Sequence, residues 1–353
     1  MKKLSLLLAI ALISGAIVIG CGQQTATDSN VINARAGTYS YSGTQSPGDA
    51  WSWVITSSTF IGTNETPGKN YYYSGTYTAY VSGFNKAVIT ATNDPSVPTD
   101  GTATGYFLEY PDTVLLVKPS GDSNLVVCAA KAASAPSAGQ YNFVNIPWPG
   151  WTSSSNSYGT VEVSESGGSY TFEVRTYDLA GNPTGGTLES GFIFSDGRLI
   201  KSGNPLQIFM TPSGAFFGDN GPGSGGFAGA AKQAVDVSDA AAKQYRGVLL
   251  SYDTGTRHDL IQAVGAEPHP GLTNALRGFS FDNVETNTRQ TGGVTLEFGA
   301  ESSNGIISGI MRYDNGLSDN FDMVVAVVGG KYIVLGISTD SHGRPQNFLV
   351  VEK

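Results

Sequence analysis

The chain repeats itself three times, and that repetition limits its fold more than any single residue does. Gly37-Thr38-Tyr39, Gly139-Gln140-Tyr141 and Lys243-Gln244-Tyr245 each open a segment, with the tyrosines 102 and 104 residues apart. Each segment then carries a hairpin-like stretch ending at a polar-Asp turn: TYTAYVSGFNKAVITATND to Asp94, TVEVSESGGSYTFEVRTYD to Asp178, and TLEFGAESSNGIISGIMRYD to Asp314. In the second, Val161 and Val163 face Tyr170, Phe172 and Val174 by period-two alternation across a glycine turn. A paired motif closes each segment, at Gly121, Gly214 and Gly343, and a last strand follows, as in NLVVCAAK and NFLVVEK.

The repeat predicts an all-β chain of three tandem antiparallel modules, over residues 36–137, 138–241 and 242–353. Only 14% of residues are charged and 46 are glycine, as expected of many short strands joined by tight turns. About 100 residues with six to eight strands suit a small barrel or a sandwich, and the short turns favour a meandering barrel. The opening Gly-x-Tyr resembles the Gly-x-Trp that begins lipocalins, with Trp replaced and the other lipocalin motifs missing. YTFEVRTYDLAGNPT resembles the late-strand pattern of bacterial immunoglobulin-like domains, which keeps the sandwich as the alternative.

The amino terminus predicts an address. Lys2 and Lys3 precede an apolar run from Leu4 to Ile19, 16 residues long, which is shorter than the roughly 20 a membrane-spanning helix needs. The run ends in Val18-Ile19-Gly20-Cys21, which resembles the lipobox of bacterial lipoproteins over residues 1–22. The resemblance implies a signal peptide over residues 1–20, cleavage before Cys21, a diacylglycerol thioether on its sulfur and an acylated new terminus. Gly22, in place of the Asp that retains many such proteins in the inner membrane, favours the outer membrane. Residues 21–35 read as a lipidated Cys and a flexible tether, its 14 residues after Cys21 reaching on the order of 20 Å. The net charge of −9 repels phosphate backbones, so nucleic acid is not an expected partner.

The remaining candidates for chemistry are few. Cys128, in LVVCAA, reads as a buried core thiol, and with Cys21 lipidated no disulfide is expected. Gly221-Pro222-Gly223-Ser224-Gly225-Gly226 fits G-x-G-x-x-G but lacks the βαβ setting of a dinucleotide site, so it reads as a connector and no cofactor is expected. Tyr245 to Asp314 spans 69 residues, against 37 from Tyr141 to Asp178, which predicts an insertion in the third module. That stretch holds His258, Asp259, Glu267 and His269, whose side chains suit a metal although their spacing matches no known signature. Asp314, Asp319 and Asp322 offer oxygens without the spacing of a calcium loop, so no metal is expected there either. Trp51 and Trp53 alternate and share one face, expected to be a core face. Trp148-Pro149-Gly150-Trp151 sets two indoles on a rigid loop, where they either fold back to cap the barrel end or stand outside as a candidate surface for a glycan or a protein.

No G-x-S-x-G, H-E-x-x-H or S-x-x-K occurs. The sequence therefore points to a lipid-anchored cell-envelope protein with a binding or structural role, meeting the membrane through its lipid and an envelope protein or glycan through its modules. The alternatives are a barrel-type carrier of a small apolar ligand, which requires apolar internal pockets, and a glycan-active enzyme, which requires two carboxylates across an aromatic groove.

Overall fold

The computed structural model describes residues 38–45, 49–66, 68–79, 84–110, 114–119, 126–130, 135–146, 157–219, 226–251, 260–283, 288–289, 293–302, 305–339 and 345–353. The first module runs through β1 (Tyr39–Gln45), β2 (Asp49–Ile55), β3 (Thr59–Asn64), β4 (Tyr72–Ala79), β5 (Asn85–Thr92), β6 (Thr104–Tyr110), β7 (Val114–Pro119) and β8 (Val126–Ala130). Each strand pairs antiparallel with the next and β8 returns to β1, closing an up-and-down barrel. The second repeats this with β9 (Gly139–Ile146), β10 (Tyr158–Ser166), β11 (Ser169–Tyr177), β12 (Pro183–Ser195), β13 (Arg198–Ile200), β14 (Gln207–Met210), β15 (Ala215–Asp219) and β16 (Gly226–Ala231). A short helix, α1 (Val237–Ala241), capped by the Asp236 carboxylate, leads into the third module.

That module contains β17 (Tyr245–Ser251), β18 (Leu260–Pro268), β19 (Ala275–Asn283), β20 (Thr288–Arg289), β21 (Val294–Glu301), β22 (Ile307–Tyr313), β23 (Ser318–Val328), β24 (Lys331–Thr339) and β25 (Pro345–Glu352). They form a nine-stranded sheet, β18-β17-β25-β24-β23-β22-β21-β19-β20, and an additional β18–β19 pairing joins eight of them into a ring with β20 as an appendage. The chain is thus all-β, built of three tandem antiparallel modules, with meander in place of sandwich.

Register refines the repeat. Tyr41 pairs with Ala130, Tyr141 with Ala231 and Tyr245 with Glu352, in each case one residue before a lysine. Tyr41, and not Tyr39, is therefore the counterpart of Tyr141 and Tyr245, and all three are buried. The matched hairpins are also not equivalent. They join the fourth and fifth strands in the first and third modules (β4–β5, β21–β22) but the second and third in the second module (β10–β11). In a meander every hairpin carries the same period-two signal, so a slip of two strands leaves inside and outside unchanged. The expected insertion in the third module shrinks with that slip, because β18 and β19 are two ordinary strands of the ring: Tyr245 to Asp314 spans 69 residues against 53 from Tyr41 to Asp94, an excess of 16 in place of 32.

Inside each barrel, aromatic rings lie over glycines directly opposite on the neighbouring strand. Phe143 faces Gly159, Phe227 faces Gly218, and Phe348 faces Gly336. A Cβ on Gly336 would meet the Phe348 ring at 1.8–2.3 Å, so the glycine is the space the ring occupies. Outside, the barrels bury their walls against one another. Leu108 and Tyr110 of the first, Val144, Phe209 and Phe217 of the second, and Val324, Leu335 and Val351 of the third share one central core. Polar ties cross it: the Tyr110 hydroxyl donates to the carbonyls of Arg246 at 2.8 Å and Val351 at 3.2 Å, and Asn142 Nδ2 donates to the Gly305 carbonyl at 3.0 Å.

Gly336→Ala is expected to lower the unfolding free energy by about 1–3 kcal/mol through overpacking against Phe348. A urea titration followed by tyrosine and tryptophan fluorescence reads it, and an unchanged midpoint would show that the ring is free to move aside.

Candidate functional site

Filling differs between the three interiors. The second encloses a cavity of about 260 Å³ and the third one of about 270 Å³, both lined mainly by apolar side chains. The first opens into about 750 Å³. Drug-sized ligands occupy sites of roughly 300–1,000 Å³, so only the first is roomy enough on this scale. Among the described residues eight aromatic rings, six of them buried, crowd the second interior, Tyr141, Phe172 and Phe216 included. In the first, β5 and β6 turn Ala87 and Gly105 toward the cavity, and the space their side chains do not fill is the cavity itself.

Alternation in β2 puts Asp49, Trp51, Trp53 and Ile55 on the inward face, and alternation in β3 adds Phe60, Gly62 and Asn64. Trp51 and Trp53 are 7% and 8% exposed, as the core reading of the sequence expected, yet both line the cavity. Their rings stack at 5.6 Å with planes 21° apart, and Tyr73 and Phe60 extend the row at 5.7 and 6.0 Å. Trp53 lies over Gly62, whose Cβ would come within 2.5–2.7 Å of the ring. One face of that indole is therefore against the backbone of β3, and the ring is part of the cavity lining. The two indole Nε1 atoms are buried without a hydrogen-bond partner among the described residues.

At the rim stand two carboxylates and one ammonium. Lys69 Nζ lies 2.7 Å from both oxygens of Asp49, which also accept from Asn64 Nδ2 at 3.1 Å and Thr66 Oγ1 at 3.3 Å. Asn64 in turn accepts the Thr66 N–H at 2.9 Å. Asp94 accepts from the Ser96 hydroxyl and N–H at 2.6 and 2.9 Å and from the Tyr73 hydroxyl at 2.8 Å. The Ser96 hydroxyl bond is the main cause holding the Asp94 carboxyl below its ordinary range, so it is ionised at neutral pH. Burial, followed by the Asp94 hydrogen bond and charge, pushes the Tyr73 phenol up.

These two acids stand on an aromatic-lined cavity, as a glycan-active enzyme would require. Asp49 is committed to Lys69, Thr66 and Asn64, and Asp94 is shifted away from the raised value a general acid needs.

The other sequence candidates are dispersed. Cys21, Trp148, Trp151, His258 and Asp259 lie outside the described residues. His269 sits half-buried in the β18–β19 turn, its Nδ1 accepting the Gly271 N–H at 3.1 Å, and Glu267 stands opposite Arg277. Among the described residues no group of three or more His, Cys, Asp or Glu is placed to hold a metal. Asp314 is tied to Arg277 at 2.8 Å, while Asp319 and Asp322 fall on opposite faces of β23. Cys128 stands in β8 opposite Gly43. The glycine-rich segment begins outside the described residues, and the strands on either side of it, β15 and β16, are an antiparallel pair in place of the parallel strands of a βαβ unit.

Sequence reading treated Trp51 and Trp53 as core and overlooked Asp49, Lys69 and Tyr73. The signal that was present is Trp-x-Trp opposite a glycine, which marks rings laid flat on a barrel wall.

Asp322 belongs to the module boundary, where Ser308 donates to it and Asp178 of the second module adds repulsion. Desolvation is the main cause that pushes its pKa up to about 6 from 3.8. A carboxyl whose folded pKa lies above its unfolded one favours the fold when protonated, and its penalty develops as pH rises from about 4 through 6. Asp322→Asn is therefore expected to stabilise the protein at pH 7.5 by on the order of 1–3 kcal/mol and to leave it unchanged near pH 4. Thermal unfolding at the two pH values measures this, and an equal shift at both would overturn it.

No protein-family model matches the chain, and no curated protein matches it. Among solved structures it is similar to isotype 1 transferrin binding protein B from serogroup B Neisseria meningitidis, at 11% identity and a TM-score of 0.29 over 90% of this chain and 77% of that one. It is also similar to a double mutant of transferrin binding protein B, a vaccine antigen, from Haemophilus parasuis Hp5, at 8% identity and a TM-score of 0.24 over 91% and 76%. A third similar structure is intact Ap-TbpB with its N and C lobes, at 7% identity and a TM-score of 0.21 over 90% and 77%.

Proposed function

We propose that the chain is a lipid-anchored protein of the bacterial cell envelope, attached through Cys21 and favouring the outer membrane, whose role is binding. Its ligand site is the interior of the first barrel. The observation that carries the binding part is the cavity of about 750 Å³ walled by stacked aromatic rings, beside two sister modules whose cavities measure only about 260 and 270 Å³. The anchor rests on the residues Val18-Ile19-Gly20-Cys21 after a basic and then apolar leader. Acyl chains contribute about 0.8 kcal/mol per buried CH₂, so several of them hold such a protein firmly on a bilayer. Carriage of a small apolar ligand by all three barrels is the weaker reading, because the second and third cavities fall below the usual size of a ligand site.

Metabolic labelling of cells with a clickable fatty acid is expected to mark the full-length chain and to leave Cys21→Ala unmarked. Label persisting on the variant would remove the anchor. Native mass spectrometry of protein taken from envelopes is expected to show a bound small molecule that Ala87→Phe, which fills the first cavity, displaces. A ligand retained by that variant would place the site elsewhere.

A further inference from the structure

We propose that the first barrel takes an organic cation, a compact ammonium group carrying apolar substituents, bound over the Trp51–Trp53 floor and balanced by the carboxylate of Asp94. The inference rests on the ligand-binding reading of that barrel and adds the chemistry of the ligand.

Two features of the cavity select this class. The floor is aromatic: Trp51, Trp53, Phe60 and Tyr73 all line the cavity, with Trp53 backed by the Gly62 backbone and the row continuing through Trp51 to Tyr73. The negative face of an indole quadrupole attracts a cation placed over it, and most strongly when water is excluded. The rim then supplies charge of the complementary sign. Asp49 and Lys69 neutralise one another, and Asp94 has no cationic partner among the described residues. One formal negative charge therefore remains at the mouth of an aromatic pocket. The chain as a whole carries −9, so the long-range field acts in the same direction.

A glycan is the closest competitor, since sugars also stack on indoles. It needs several free donors and acceptors to replace the water its hydroxyls lose. At this rim Asp49, Asn64, Thr66 and Lys69 already bond one another, and Asp94 already accepts three hydrogen bonds. An alkylated ammonium makes no such demand, because its charge is satisfied by the ring faces and by the field of one carboxylate.

The test uses choline and its uncharged isostere 3,3-dimethylbutan-1-ol, titrated calorimetrically into the full-length chain in a polyoxyethylene ether detergent, which carries neither an ammonium group nor a sugar. Choline is expected to bind saturably and at least tenfold more tightly than the isostere. Trp53→Ala and Asp94→Asn are each expected to weaken it, roughly 3- to 30-fold, and Lys69→Met, which releases Asp49, to strengthen it. The gain at Lys69→Met cannot arise from misfolding and so separates charge from structure. Equal affinity for the isostere, binding of a methyl glycoside in place of choline, or indifference to Asp94→Asn and Lys69→Met would overturn the cation and leave a ligand-binding barrel in place. If choline does not bind and Ala87→Phe displaces nothing from the envelope-derived protein, both readings fall.

Discussion

The structure depends on burial of strands on both faces. A closed barrel satisfies its backbone by joining last strand to first, and it then has two surfaces to dispose of, an interior and an outer wall. Here the three outer walls meet, so β9, β15, β23, β24 and β25 place apolar side chains both inward and outward. The continuous apolar runs MVVAVV and YIVLGI are the sequence form of that double burial, as they are for any strand covered on both sides. Polar groups also tie the modules across this core, as with the Tyr110 hydroxyl and Asn142. Three barrels thereby behave as a single packed body.

Packing of rings on glycines governs the interiors. A narrow barrel has little room for inward side chains, and a ring laid across the opposite glycine takes space from the wall in place of the lumen. The second and third barrels use this to pack phenylalanines densely. The first uses it at Trp53 and Gly62 to hold an indole flat, and with Ala87 and Gly105 nearby the lumen stays open. The same device therefore goes with a small cavity in two modules and a large one in the other, according to how many large residues accompany it.

Much of the architecture was legible. Period-two hairpins, glycine-rich turns and a repeat near 100 residues state three antiparallel modules, and Trp51 and Trp53 were rightly placed on one buried face. What the pattern does not carry is the ordinal position of a hairpin, because each hairpin of a meander looks like the next. That is why the second module aligned two strands out and why β18 and β19 passed for an insertion. The cavity was illegible for a different reason. Alternation identifies inward residues, but whether they fill the lumen depends on the summed volume of all eight strands, with Ala87 and Gly105 mattering as much as the tryptophans. His258 and His269 drew notice as rare titratable residues, whereas the rim carboxylates Asp49 and Asp94 look in sequence like ordinary turn residues.

Closure of first strand on last has a consequence for how such a chain arises. In each module the chain enters and leaves by adjacent strands, β1 beside β8, β9 beside β16 and β17 beside β25. A whole unit inserted at a junction thus adds a barrel without cutting a hydrogen-bonded ladder in its neighbours. Tandem duplication is then topologically neutral, and the copies are free to diverge in lumen while the walls they share keep them in step.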